Sequence, residues 1–85
     1  MKLWLLRPIK DLSEDDDPWD PWFDKSFGFV VRAKDQTRAR TLASAAGGDE
    51  VRSNKYPWLY SKYSTCEELR IEGPEGIILR DYRAA

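Results

Sequence analysis

Hydrophobic and polar positions change rhythm several times along this chain, and each change marks an element. Residues 2–9 put Leu3 and Leu5 on one side of an extended strand and Trp4 and Leu6 on the other. Apolar side chains on both faces predict a central strand, or one whose second face is covered. Residues 26–33 alternate cleanly, with Phe27, Phe29, Val31 and Ala33 opposite Ser26, Gly28, Val30 and Arg32, which predicts a second strand. Over residues 34–46 the period becomes helical: Ala39, Leu42, Ala43 and Ala46 share one face, and Arg38, Arg40 and Thr41 take the outer side. Asp35 is placed to cap this helix, and Gly47-Gly48 to end it in the left-handed conformation glycine favours. Residues 49–64 are irregular, polar first and aromatic after (Tyr56, Trp58, Tyr60, Tyr63). Residues 65–71 and 76–82 predict a hairpin around Glu72-Gly73-Pro74-Glu75.

The resulting order is β-β-α-β-β. The economical architecture is an α+β fold in a single domain over residues 1–85, a four-stranded, mostly antiparallel sheet with one helix on one face. One helix of this length cannot cover both faces. The other is left to the aromatic loops, a second subunit or a partner.

Between the first two strands lies the segment that departs furthest from expectation. Residues 11–24, DLSEDDDPWDPWFD, hold seven carboxylates, no basic residue, two prolines and three aromatics. Hairpins usually need two to five residues, and connections beyond about 12–15 residues in a compact domain are mostly functional or disordered. A disordered tract tends to lack aromatics, whereas this one carries Trp19, Trp22 and Phe23. Pro18 and Pro21 stiffen it by fixing φ and restricting the residues before them. Two uses follow. The aromatics can fold back over the bare sheet face, or they can anchor a partner inside a ring of charge, as aromatic hot spots do. In an extended segment, alternate carboxylates also stand at about 6.6–6.8 Å, comparable with phosphates along a strand, so the loop could mimic DNA or RNA.

Charge sharpens this picture. The net charge is −1, yet without the loop's seven acids the chain has eight acids against fourteen Lys and Arg. An acidic lobe on a mildly basic body steers approach to a cationic partner. A nearly neutral total argues against non-specific nucleic-acid binding. The tyrosine and tryptophan cluster near Arg52, Lys55 and Lys62 could stack bases, but filling a small core is its simpler use.

Other chemistry is narrowed by composition. With no histidine, Ser-His and Cys-His catalysis and histidine metal ligation are excluded. Cys66 is the one cysteine, expected as a structural thiol in a strand, so no internal disulfide forms and a reducing cytosol fits. No glycine-rich phosphate loop is present, and Gly47-Gly48 follows the helix instead of opening one. Asp15, Asp17 and Asp20 are hard oxygen ligands without EF-hand spacing. No signal peptide or membrane-length apolar run is visible.

The string PWDPWFDKSFGFVVRA, followed by ARTLA, GGDE, a PWL element and STCEEL, resembles a group of short bacterial and phage proteins without established activity. Size and element order are also similar to small phage anti-CRISPR proteins, which bind and block host defence complexes. That resemblance implies an inhibitor of phage or mobile-element origin.

The expectation is a cytoplasmic, non-enzymatic protein-binding module with no catalytic residue, metal or cofactor. Its partner is a host protein or complex, met through Asp15, Asp16, Asp17, Trp19, Asp20, Trp22, Phe23 and Asp24. Nucleic acid is not expected as a direct ligand, no membrane is involved, and the protein is a monomer or homodimer. The alternatives are a small nucleic-acid-binding module using the basic body and the Tyr/Trp cluster, or a housekeeping homodimer.

Overall fold

In the computed structural model, which describes residues 1–81, the first apolar run becomes the axis of the fold. β1 (Lys2–Pro8) lies between β2 (Phe29–Ala33) and β3 (Ser64–Leu69), antiparallel to both, in a sheet of order β2-β1-β3. Its central place agrees with apolar side chains on both its faces. The register pairs Trp4 with Val31 and Glu68, and Leu6 with Phe29 and Cys66. Trp4, Leu6, Phe29, Val31, Ala33 and Cys66 therefore share one face, which meets the helix. Leu3, Leu5, Arg7, Val30, Arg32 and Glu67 point to the other.

α1 (Gln36–Ala46) starts where Asp35 accepts the backbone N–H of Arg38 at 2.8 Å, a cap worth about 1 kcal/mol. Ala39 and Ala43 are buried, and their small side chains let the helix lie close on Ala33 and Leu6. Leu42 and Ala46, expected on the same face, sit at the exposed margin. The helix does not end on a left-handed glycine: Gly47 has φ −67°. The two glycines answer a need for space instead. A Cβ on Gly47 would overlap Val51, and one on Gly48 would come within 2.5 Å of the Asp24 carbonyl.

The fourth strand is not formed, so the sheet has three strands among the described residues. Residues 76–81 run without ladder hydrogen bonds, and Tyr82, the end of the expected strand, lies outside the described residues. The reason lies in the turn: Gly73 takes φ +157°, neither Gly73 nor Gly76 has a side chain to pack, and the isoleucines that follow stay in water, so nothing holds residues 76–81 in register beside β3. Pro74, in the turn itself, has no N–H to give.

The irregular aromatic segment closes the helix side of the sheet. Trp58 is fully buried, with Trp19 edge-on at 4.7 Å between ring centroids and Phe29 at 5.0 Å. The aromatic loops thus fill the core beside α1 and leave the opposite sheet face to other cover. There Leu5 is only 4% exposed, in a cleft it shares with Val30, Phe27 and Leu79.

Candidate functional site

The acidic loop is an ordered structure fastened at several points. After a 3₁₀ turn at Glu14–Asp16, Asp17 turns its Oδ1 back to accept the N–H groups of Trp19 (2.8 Å) and Asp20 (3.3 Å). Trp19 then enters the core. It is 6% exposed and donates its indole N–H to the Tyr63 carbonyl at 3.1 Å. Lys25 returns to the same residue, donating from Nζ to the Trp19 carbonyl at 2.7 Å. The loop's exit is held by Glu50 and by the backbone of Asp24, whose carbonyl accepts the Asp49 N–H at 2.6 Å.

Glu50 is fully buried, and its carboxylate is surrounded by donors. Oε1 accepts from the Ser26 N–H (3.0 Å); Oε2 accepts from the Gly48 N–H (3.1 Å) and the Trp58 indole (2.6 Å). A buried carboxylate is tolerable only with such a set. Arg40 is its basic counterpart. Read from the helix period as an outer residue, it is buried and donates to the carbonyls of Trp58 (3.1 Å) and Ser64 (3.0 Å) and to the Ser64 hydroxyl (2.7 Å). Sequence periodicity missed both residues, because only the fold brings their partners together.

Asp16 forms a second fastening. Its carboxylate accepts from the Tyr63 hydroxyl (2.6 Å) and lies 2.7 Å from Lys62 Nζ and 3.2 Å from Lys55 Nζ. The Lys62 hydrogen bond first, and those of Tyr63 and Lys55 with it, hold this carboxyl well below the usual carboxylate range. The same contact raises Lys62 and Tyr63 above their ordinary values. Partial burial pushes the Cys66 thiol up, away from the reactive thiolate.

The eight expected contact residues therefore separate. Asp16, Asp17 and Trp19 serve the fold, and Trp19 gives its area to the core instead of to a partner. Asp15, Asp20 and Asp24 are exposed, Trp22 is half-buried, and Phe23 is 97% exposed. Beside the loop a shallow groove of about 220 Å³ runs along Ile9, Lys10, Asp17, Trp19, Asp20 and Phe27. The base-stacking alternative loses half its platform, since Trp58 and Tyr63 are buried while Tyr56 and Tyr60 remain at the surface. Among the described residues no three acidic or sulfur side chains gather as a metal site. No helix there is long and apolar enough to cross a membrane.

Comparison with protein-family models, with curated proteins and with solved structures gives no match. Among its described residues the chain is a small α+β fold with one α-helix and a three-stranded antiparallel sheet.

Proposed function

We propose that this protein is a non-enzymatic binding module that docks the tip of its acidic loop onto a cationic surface of another protein. The observation that carries this is Phe23, almost wholly exposed at the end of a loop otherwise fastened to the core. An exposed aromatic on a rigid support loses little freedom on binding, and aromatic anchors ringed by polar groups dominate interface energetics. Asp15, Asp20 and Asp24 supply the surrounding charge, while Trp22 widens the apolar spot. A groove built to hold nucleic acid is the kind of surface this charge suits. An inhibitor of a host defence complex, the class that the resemblance implies, is one such protein.

Wild type, Phe23→Ala and Asp15→Lys/Asp20→Lys/Asp24→Lys serve as baits in a host lysate, with Asp16 and Asp17 left intact to keep the loop folded. The proposal expects a protein recovered by wild type and lost with both variants, each melting like wild type. Equal recovery by all three baits sinks it. A mobility-shift titration with free DNA or RNA is expected to show no complex.

A further inference from the structure

Where the first turn of the acidic loop meets residues 54–63, the surface opens into a cavity of about 440 Å³. Asn54, Lys55, Tyr60, Ser61 and Lys62 line it around the Asp16 carboxylate. Small-ligand sites commonly span about 300–1,000 Å³. The chain takes a costly path beside it: Tyr56 is held at φ +50°, a conformation that a bulky side chain rarely adopts. Strain of this kind gathers where a site overrides local preference.

The polar groups of the cavity are nearly all donors. Asp16 holds two ammonium groups in place, Lys55 on Oδ1 at 3.2 Å and Lys62 on Oδ2 at 2.7 Å, and the Tyr63 hydroxyl takes up Oδ1 as well. An ammonium carries three N–H groups. Lys55 spends two of them, on Asp16 and on the Asp15 carbonyl, and Lys62 spends one on Asp16, so both keep donors for another molecule. Among the described residues no hydrogen bond engages the Asn54 amide or the Tyr60 and Ser61 hydroxyls. Two ammonium groups against one carboxylate also leave a surplus positive charge. Glu14 and Asp15 are exposed and do not line the cavity, so water and salt screen them.

Such a cavity matches an anion that is rich in acceptors. A phosphomonoester offers three terminal oxygens and close to two negative charges, and lysine is a usual partner for it. Because Asp16 already pins the ammonium groups, less of their freedom is lost on binding. The Tyr60 ring, half exposed at the wall, gives a flat group a surface to stack on.

We propose that this cavity binds a nucleoside monophosphate, with its phosphate on Lys55, Lys62, Asn54 and Ser61 and its base on the Tyr60 ring. The site is separate from the docking tip at Phe23. The interior phosphates of DNA and RNA are diesters that carry one charge and commit two oxygens to the chain, so a polymer does not suit it.

Titration of the full chain with adenosine monophosphate, followed through the backbone amide shifts of Asn54, Ser61 and Lys62, tests the assignment. Saturation with a Kd below about 1 mM is expected. Lys62→Gln should weaken binding about tenfold by removing one charge-assisted contact, while Asp16 keeps Lys55 and Tyr63. Tyr60→Ala should weaken it by about fivefold or more through lost stacking. That variant keeps its fold, because the structure uses the Tyr60 backbone carbonyl, which accepts the N–H groups of Tyr63 and Ser64. Adenosine, inorganic phosphate and the cyclic diester of adenosine monophosphate should each bind more weakly than the monoester. Absence of saturation by wild type overturns the proposal. So does unchanged affinity in either variant, or a cyclic diester that binds as tightly as the monoester.

Discussion

Residues 11–28 and residues 70–81 are both irregular, both charged and both interrupted by proline, yet the fold treats them in opposite ways. The acidic stretch sends Trp19 and Pro18 into the core, closes its turn on Asp17 and ties Asp16 to Lys55, Lys62 and Tyr63. The later stretch, with three isoleucines and a leucine, stays at the surface. Hydrophobic content alone would order them the other way. What separates them is whether each polar group that comes inward finds a partner. Around Trp19 every inward group is met: its indole N–H by the Tyr63 carbonyl, its backbone N–H by Asp17, and its carbonyl by Lys25. After β3, Ile71, Ile77 and Ile78 stay in water, and Gly73 and Gly76 between them offer nothing to pack against.

The largest effect that could break this contrast is Trp19→Ala. Removing a buried indole costs about 3–5 kcal/mol, a large part of the stability of a domain this small. Chemical denaturation should show that loss; a change under about 1 kcal/mol would mean the loop is not part of the core. Glu50→Ala comes next, because it strands the N–H groups of Ser26 and Gly48 and the Trp58 indole inside the protein. Each stranded donor costs about 1–3 kcal/mol before any relaxation, so a total near 3 kcal/mol is expected from the same measurement.

The Asp16 fastening is smaller and appears as pH dependence. A carboxyl held below its ordinary value gives stability that is present above about pH 4 and is lost as pH falls further. Thermal melting from pH 6 downward should therefore fall off in acid, and Asp16→Asn should flatten that limb. Lys62 and Tyr63, both raised, contribute at the other end: their share is present below about pH 10 and is lost as pH climbs past it. The smallest effect belongs to the exposed stretch after β3. Ile77→Ser/Ile78→Ser should shift the stability of a monomeric preparation by no more than about 0.5 kcal/mol per site, as exposed positions do.

Legibility in the sequence followed the range of the forces involved. β1, β2, α1 and β3 were readable to within two or three residues, because alternation and helical spacing are local. Asp35 as helix cap was readable for the same reason. Arg40 was not: the helical period placed it outside, and only Trp58 and Ser64, from distant parts of the chain, make its burial tolerable. The fourth strand was misread because residues 76–82 alternate acceptably by themselves. The obstacle belongs to the turn, where Gly73 takes φ +157° and Pro74 has no N–H, so pairing failed for a reason outside the segment. Within the acidic loop, spacing could not say which aromatic turns inward, since an irregular chain has no period. Trp19 and Phe23 lie four residues apart and have opposite fates.

The central claim is that the acidic loop is a folded part of the body that holds Phe23 out, while residues 71–78 are not. Residue-resolved hydrogen exchange under native conditions reads both at once. The account predicts strong protection of the Trp19 indole N–H and of the backbone N–H groups of Trp19, Lys25 and Ser26, beside near-random-coil exchange through residues 71–78. Exchange of the Trp19 indole as fast as the amides of residues 71–78 would contradict it.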